Sequence, residues 1–415
     1  MSYDNSKKII LIVGGSYGGV SIAHHLLKHT YPVLPEKQSY QVVLISKASE
    51  AFDRPACPRA LISDQMFEQS KLFVDIPTQF KQYPQNSFAF IRGTATTFDY
   101  GNRSLTIELK SSTVMTVEYH SLVIATGAST NSPLFGYHDD ADQLRSYWSR
   151  LREGLPHAKS IVIAGGGPTG IETAGELGEH LNGSSGFFRG RLIDPKVSIM
   201  VLTSASKILP GLRSSIADRA ETLLGKVGVT VLKKSKVVSV DPPTSGIENV
   251  ATKTTINLGN GETIVADIYI NATGWKPNNQ FIPSALLASD GRIETNASTL
   301  RVDVAGPRVY AVGDISTAAR PAIHNILSEI PILGANMRYD LLRASGIPEP
   351  QAGKQRQFVE DTRETQMVPI GRNRGVGAAM GWRLPSILVW AIKGRDYWLW
   401  TLPALWSGKQ WSKEG

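Results

Sequence analysis

The sequence predicts an α/β protein in which one nucleotide-binding unit is built twice and a small module is appended at the C-terminal end. Three observations carry the prediction. An apolar strand, Lys8–Val13, ends in the run Gly14-Gly15-Ser16-Tyr17-Gly18-Gly19; a helical stretch, Val20–Lys28, and a second apolar strand, Tyr40–Ile45, follow. The same order recurs about 150 residues later, with strand Ser160–Ala164, the run Gly165-Gly166-Gly167-Pro168-Thr169-Gly170, helix Ile171–His180 and strand Val197–Leu202. A buried strand running into Thr-Gly also occurs twice, Leu122–Ala125 before Thr126-Gly127 and Ile268–Ala272 before Thr273-Gly274.

Each unit has a physical reading. A Gly-x-Gly-x-x-Gly turn lets the backbone approach a pyrophosphate, and the helix that follows presents free N–H groups to it. One such turn is weak evidence. Two, each flanked by strand and helix, predict two Rossmann-like dinucleotide-binding domains. The second turn is the cleaner, with Gly165, Gly167 and Gly170 in register. The first carries Ser16 where the middle glycine is expected, a residue small enough to keep the approach open. The acid that binds a ribose hydroxyl belongs at the end of the next strand. Those positions hold Ser46-Lys47 and Thr203-Ser204 instead, with Lys207 nearby, so both NADH and NADPH are admitted.

Two dinucleotide sites in one chain imply a flavin and a nicotinamide. FAD is expected in the first unit, whose domain the later part of the chain completes. Strands Ser87–Ile91, Ser104–Leu109 and Val114–Glu118 belong to that first part. Val309–Val312 returns to it and ends in Gly313-Asp314. There Asp314 is expected to accept from the ribityl chain, and a helix over 322–345, interrupted at Pro331, to aim its positive end at the flavin. Alone, Asp314 would read as a helix N-cap. The FAD-binding domain is therefore expected to be discontinuous, residues 1–130 with 270–345, around an NAD(P)H-binding domain at 131–269. Residues 346–415 form the C-terminal module, and Gly183–Gly190 reads as an inserted loop.

Composition narrows the function. The 415 residues are 41% hydrophobic and 19% charged, enough for two or three well-packed domains. The single cysteine, Cys57, excludes an internal disulfide, a Cys-x-x-Cys redox pair and a multi-cysteine metal or iron–sulfur site. None of the eight histidines has a metal-ligand spacing, and no metal is expected. The net charge of +8 is uneven: residues 353–415 hold ten basic and five acidic side chains, and six of the eight tryptophans. Without a leader or a long apolar run, the chain is expected to be cytoplasmic, at most peripheral on a membrane surface, and not secreted.

In order along the chain, Val13–Gly19, Ala125-Thr126-Gly127, Gly165–Glu172, Ala272–Asn278 and Tyr310–Asp314 resemble the flavoprotein reductases with two dinucleotide folds of the glutathione-reductase type. The branch resembled most is the apoptosis-inducing-factor homologues of the AMID, or ferroptosis-suppressor-protein, type. The tail motifs Gly371–Gly377 and Gly394-Arg395-Asp396 resemble that branch's C-terminal module. The resemblance implies an FAD-dependent NAD(P)H oxidoreductase that passes electrons to a quinone-type acceptor. It implies that Phe52–Arg59 packs against the flavin and that Arg59 pairs with Glu172 near flavin N5, making these two the catalytic residues. It also implies that the backbone at Ile91 holds the adenine. Read without it, Arg59 is a surface arginine and Glu172 a first-turn carboxylate. The expected contacts to the two nucleotides are Gly14, Gly15, Ser16, Tyr17, Gly18, Gly19, Arg54, Arg59, Ile91, Thr126, Gly127, Gly165, Gly167, Gly170, Glu172, Gly274, Gly313 and Asp314.

Alternatives stay open at this point. The acceptor can be a lipid quinone or a soluble quinone-like or polyketide metabolite. A redox sensor or nucleic-acid-binding protein with a structural flavin would use the basic tail, although no nucleic-acid module is recognisable and that partner is not expected. A single-component monooxygenase fits two well-formed nucleotide units less well. The tail alternates aromatic and basic residues, which suits a peripheral membrane contact and equally a cap on the flavin domain.

Overall fold

The computed structural model describes residues 3–186 and 190–415; residues 187–189 of the expected inserted loop lie outside it. The elements that position the site follow in chain order. They begin with β1 (Lys8–Val13), α1 (Tyr17–His25), β2 (Tyr40–Ser46), α2 (Cys57–Ala60), β3 (Phe88–Asp99) and β4 (Ser121–Ile124). Next come β5 (Ser160–Ala164), α3 (Pro168–Asn182), β6 (Ser198–Leu202), α4 (Ser214–Lys226), β7 (Val229–Leu232) and β8 (Ile268–Asn271). The chain continues with β9 (Val309–Ala311), α5 (Ile323–Ala344), β10 (Gln366–Pro369) and β11 (Gly375–Ala379).

The first sheet runs β9-β4-β1-β2-β3, all parallel, and an antiparallel meander, Ser104–Leu109 and Val114–Glu118, extends it beyond β3. Every residue of β1 after Lys8 is buried, because a central parallel strand is covered on both faces and must be apolar throughout. The second sheet runs β7-β6-β5-β8, also parallel. Both are Rossmann-like sheets. In each, the strand before the glycine turn lies between its two neighbours, β1 between β4 and β2 and β5 between β8 and β6. That places a crevice at the carboxyl ends of the strands, where such sheets bind ligands.

The helix after Asp314 differs from expectation. It starts at Ile323 and runs unbroken to Ala344 with Pro331 inside it. Packing against α1 explains this. Ile330 and Leu333 are fully buried, and a Cβ on Gly334 would lie 2.1 Å from His25 Nδ1, so the two helices are in close contact. Tertiary burial outweighs the local cost of one proline.

The C-terminal module covers α1 and α3. Tyr397, Trp406 and Trp411 are buried, so much of the aromatic tail is a cap. Trp382 and Trp400 stay exposed, as do Ile387 and Leu388. Among the described residues no helix is long and apolar enough to cross a membrane. Side chains on or just after α1 hold tail carbonyls: His24 Nε2 bonds Trp406 O at 2.7 Å, Lys28 Nζ bonds Gly408 O at 2.5 Å, His29 Nε2 bonds Trp411 O at 2.8 Å and His25 Nε2 bonds Glu414 O at 3.1 Å.

Burial pulls His24 and His25 down to about 4. Groups lowered in the folded state contribute stability that is present above their unfolded value, about 6.5, and is lost as pH falls toward 4. Acidification through that window is therefore expected to loosen the tail, read as a red shift of tryptophan emission and faster tail proteolysis. His24→Gln, which keeps a donor but does not titrate, moves the transition to lower pH; an unshifted transition would exclude His24 as the responsive group.

Candidate active site

The two glycine turns have the same geometry. Gly14 has φ 120° and Gly165 φ 128°. A Cβ on Gly14 would lie 2.2 Å from Ala125 O, and one on Gly165 2.5 Å from Ala272 O. A Cβ on Gly19 would lie 1.7 Å from Gly14 O, and one on Gly170 2.0 Å from Gly165 O. These contacts are backbone to backbone and leave no room for adjustment. Ser16 and Gly167 are the N-cap residues of α1 and α3, both extended, and neither helix has a side-chain cap. Space beside Gly167 is open, so the helix N–H groups face a vacant approach suited to a pyrophosphate.

At the first turn a cleft of about 420 Å³ runs past Gly14–Ser16, Ser46, Lys47, Arg54, Gly93–Ala95 and Thr126. Arg54 Nη1 donates to Ala128 O at 2.7 Å, which fixes it at the rim. The side chain of Ile91 packs in the core, and two residues on Gly93, Thr94 and Ala95 line the cleft. Gly127 and Gly274, with φ 61° and 71°, precede two short strands that pair antiparallel, Ala128–Thr130 with Trp275–Pro277. Thr126 Oγ1 donates to Asn278 O at 2.9 Å, and Asn278 Nδ2 donates back to Thr126 O at 2.7 Å, locking that crossing.

Asp314 sits on a single 3-10 turn, Gly313–Ile315, and the cap position of α5 is Ala322, so the N-cap reading falls. Its half-buried carboxylate has no hydrogen-bond partner among the described residues. Burial raises it, with Arg54 and Arg292 pulling the other way. An unpaired carboxylate at this depth fits a polyhydroxyl chain such as the ribityl of FAD. Gly313 N–H donates to Glu329 Oε2 at 2.9 Å, which fixes the turn.

The expected Arg59–Glu172 pair is not formed. Arg59 lies on α2 and binds Glu176 in a two-pronged contact, Nε to Oε2 at 3.0 Å and Nη2 to Oε1 at 2.8 Å. Glu172, one turn earlier on α3, binds Lys393 Nζ at 2.5 Å. Both acids share one helix face at i and i+4, and α2 reaches the later turn while the tail reaches the earlier. Tyr397 Oη donates to Glu176 Oε1 at 3.0 Å, and its ring lies 4.8 Å from the Arg59 guanidinium carbon and 5.5 Å from Lys393 Nζ. Tyr397 and Trp398 hold this position with φ 53° and 69°, a conformation bulky residues rarely adopt. Burial pushes Glu172 up to about 7 against the pull of Lys393.

Lys393, Tyr397 and Glu176 escape the motif-based reading because they act across 221 residues of sequence or one helical turn. The one visible signal is a lone lysine set in the apolar run Leu384–Ile392 and Tyr397–Trp406. A second buried pair was also unforeseen. Tyr17, from the first glycine run, donates to Asp53 Oδ1 at 2.6 Å, and burial pushes Asp53 up to about 7.

Two glycine cradles, a free carboxylate beside the first and a buried charge cluster on the helix of the second define a flavoprotein that uses a pyridine nucleotide. A model of the pyridine nucleotide-disulphide oxidoreductase family matches residues 8–331, and the chain belongs to that family. It is 56% identical to the oxidoreductase phnG of Penicillium herquei over 409 residues, 98% of each chain. It is 25% identical to ferroptosis suppressor protein 1 of Xenopus tropicalis, over 95% of each chain, and 23% identical to apoptosis-inducing factor 1 of Saccharomyces cerevisiae. It is an oxidoreductase of that family, similar over nearly its whole length to the apoptosis-inducing-factor and ferroptosis-suppressor proteins. Among solved structures it resembles NDH2 of Plasmodium falciparum in complex with NADH, with TM-score 0.67, 14% identity and 99% of each chain covered. FAD and NAD(P)H are its cofactor and co-substrate.

Removing one partner of a buried ion pair strands the other and costs about 3–5 kcal/mol. Lys393→Met is expected to lower stability by that order and to abolish NAD(P)H turnover while flavin stays bound. Adding Glu172→Gln restores most of the stability and none of the turnover. Thermal denaturation with flavin absorbance, beside steady-state assays, checks both; a Lys393→Met enzyme with unchanged turnover would remove the pair from the site.

Proposed function

We propose that this oxidoreductase takes hydride from NADH or NADPH and delivers the electrons to a quinone-type acceptor that meets the flavin directly, with no thiol relay. The observation that supports it is the buried Glu172–Lys393 and Arg59–Glu176 cluster, beside two dinucleotide cradles, in a chain whose one thiol is sealed. Cys57 is buried, and burial pushes its thiol far up, away from thiolate chemistry.

FAD, when bound, supplies the two-electron acceptor and donor. The chain's own residues bind, orient and hold protons. Helices α1 and α3 offer their N-terminal N–H groups to the two pyrophosphates. Asp314 accepts from the polyhydroxyl chain, and Arg54 stands at the cleft rim. Reducing a quinone with a nicotinamide hydride consumes one further proton. Glu172, raised to about 7 and touching Lys393 Nζ, is placed to hold that proton at neutral pH. Arg59, fixed by Glu176 and Tyr397, holds α2 against α3 and the C-terminal module.

Anaerobic mixing with NADH or NADPH is expected to bleach the flavin, and a benzoquinone or naphthoquinone to restore it much faster than O2 does. Cys57→Ser behaves as the parent. Reoxidation by O2 alone, or loss of reduction in Cys57→Ser, would refute the direct quinone route.

Exposed apolar side chains of the C-terminal module support a second element of the reading, a peripheral membrane contact that would admit a lipid quinone. Trp382, Ile387, Leu388 and Trp400 are each exposed, and so are Arg383 and Arg395 of the same module, cations suited to anionic headgroups. On vesicles containing anionic lipid, the full chain is expected to float and Trp382→Ser/Ile387→Ser/Leu388→Ser to remain behind. Equal partitioning of the two would favour a soluble quinone-like metabolite as acceptor.

A further inference from the structure

We infer that the second cradle selects the nucleotide bearing a 2′-phosphate, NADPH over NADH, through Ser204, Ser206 and Lys234. The inference rests on the reading of that cradle as the nicotinamide site and names its preferred substrate.

The end of β6 meets the glycine turn. A Cβ on Gly166 would lie 2.7 Å from Thr203 Oγ1 and 3.4 Å from Ile208 Cγ2, and Leu209 N–H donates to Gly166 O at 2.7 Å. The loop 203–209 is thus folded onto the turn, where it faces the adenosine ribose of a nucleotide seated there. An NAD site places an acid here to bind the ribose hydroxyls. Thr203 does not replace it: the residue is buried, and its hydroxyl accepts from Ala205 N–H at 3.3 Å within its own loop.

A second loop joins the first. Ser235 N–H donates to Thr203 O at 2.9 Å, and Lys234 N–H donates to Ala205 O at 3.0 Å. Lys234, with φ 56°, is therefore held against the segment that carries Ser204 and Ser206. Neither 203–213 nor 230–240 contains an acid. The other cations of these loops are largely engaged. Lys207 Nζ donates to Leu212 O, Lys233 pairs with Glu221 at 3.1 Å, and Arg213 is bound by Glu364. Lys234 and Lys236 have no side-chain partner among the described residues, and Lys234 is the one bonded to the serine loop. Ser204 and Ser206 are exposed with free hydroxyls. Two hydroxyl donors and an ammonium suit a phosphate dianion, whereas the ribose hydroxyls of NADH would find no carboxylate here to bind them in a two-pronged contact.

The test uses the flavin-loaded full chain. NADPH is expected to give kcat/KM at least about tenfold above NADH. Lys234→Ala raises KM for NADPH about tenfold and KM for NADH less than twofold, Lys234→Arg restores it, and Ser204→Asp reverses the preference. Independently of turnover, calorimetry shows 2′,5′-ADP binding more tightly than 5′-AMP, with the gap closed in Lys234→Ala. Equal use of the two nucleotides, a preference for NADH, or equal effects of Lys234→Ala on both would overturn the inference. Reduction by neither nucleotide would overturn the oxidoreductase reading instead, and the 2′,5′-ADP comparison would still decide this one.

Discussion

The contact between Lys393 and Glu172 ties the last part of the chain to the helix that receives the second nucleotide, and the rest of the site is arranged around it. A lysine buried to this degree needs a counter-ion, and a carboxylate buried to this degree needs a cation. Each therefore holds the other's element in place. With the tail docked, Tyr397 reaches Glu176, Glu176 orients Arg59, and Arg59 Nη1 closes onto Arg395 O at 3.2 Å. The cluster joins α2 of the first unit, α3 of the second and the C-terminal module. The module is thus a third wall of the site as well as a lid over α1 and α3.

Helix α1 connects the same events from the other side. Its N-terminus, at Ser16–Gly19, is built to receive a pyrophosphate. The segment at its C-terminal end binds tail carbonyls through His24, His25, Lys28 and His29. One rigid element thereby carries both the first cradle and the tail's anchor. Such an element can transmit order from one to the other because a packed helix moves as a unit.

The two cradles also explain a departure from the motif. The positions that cannot carry a side chain are the first and last glycines, which press on backbone carbonyls. The middle position faces open space, as the empty surroundings of Gly167 show. Ser16 can therefore stand there without strain. The family name refers to a disulphide, but this chain has one cysteine, and Cys57 is buried on α2, in the same short helix as Arg59.

The sequence by itself determined the two Rossmann-like units, because a strand, a glycine turn and a helix are contiguous and their chemistry is local. Gly14, Gly19, Gly165 and Gly170 were legible for that reason, as was the return of the chain to Gly313-Asp314. Tertiary structure alone decided how the charges pair. Arg59 had two acids, one helical turn apart, within reach of the same face. The choice of Glu176 over Glu172 depended on where α2 packs and on a lysine 221 residues away. Local pattern also overstated Pro331, since contact with α1 supplies more than a proline removes. Contacts within a turn are written in the order of residues, while contacts between elements exist only once the chain is packed.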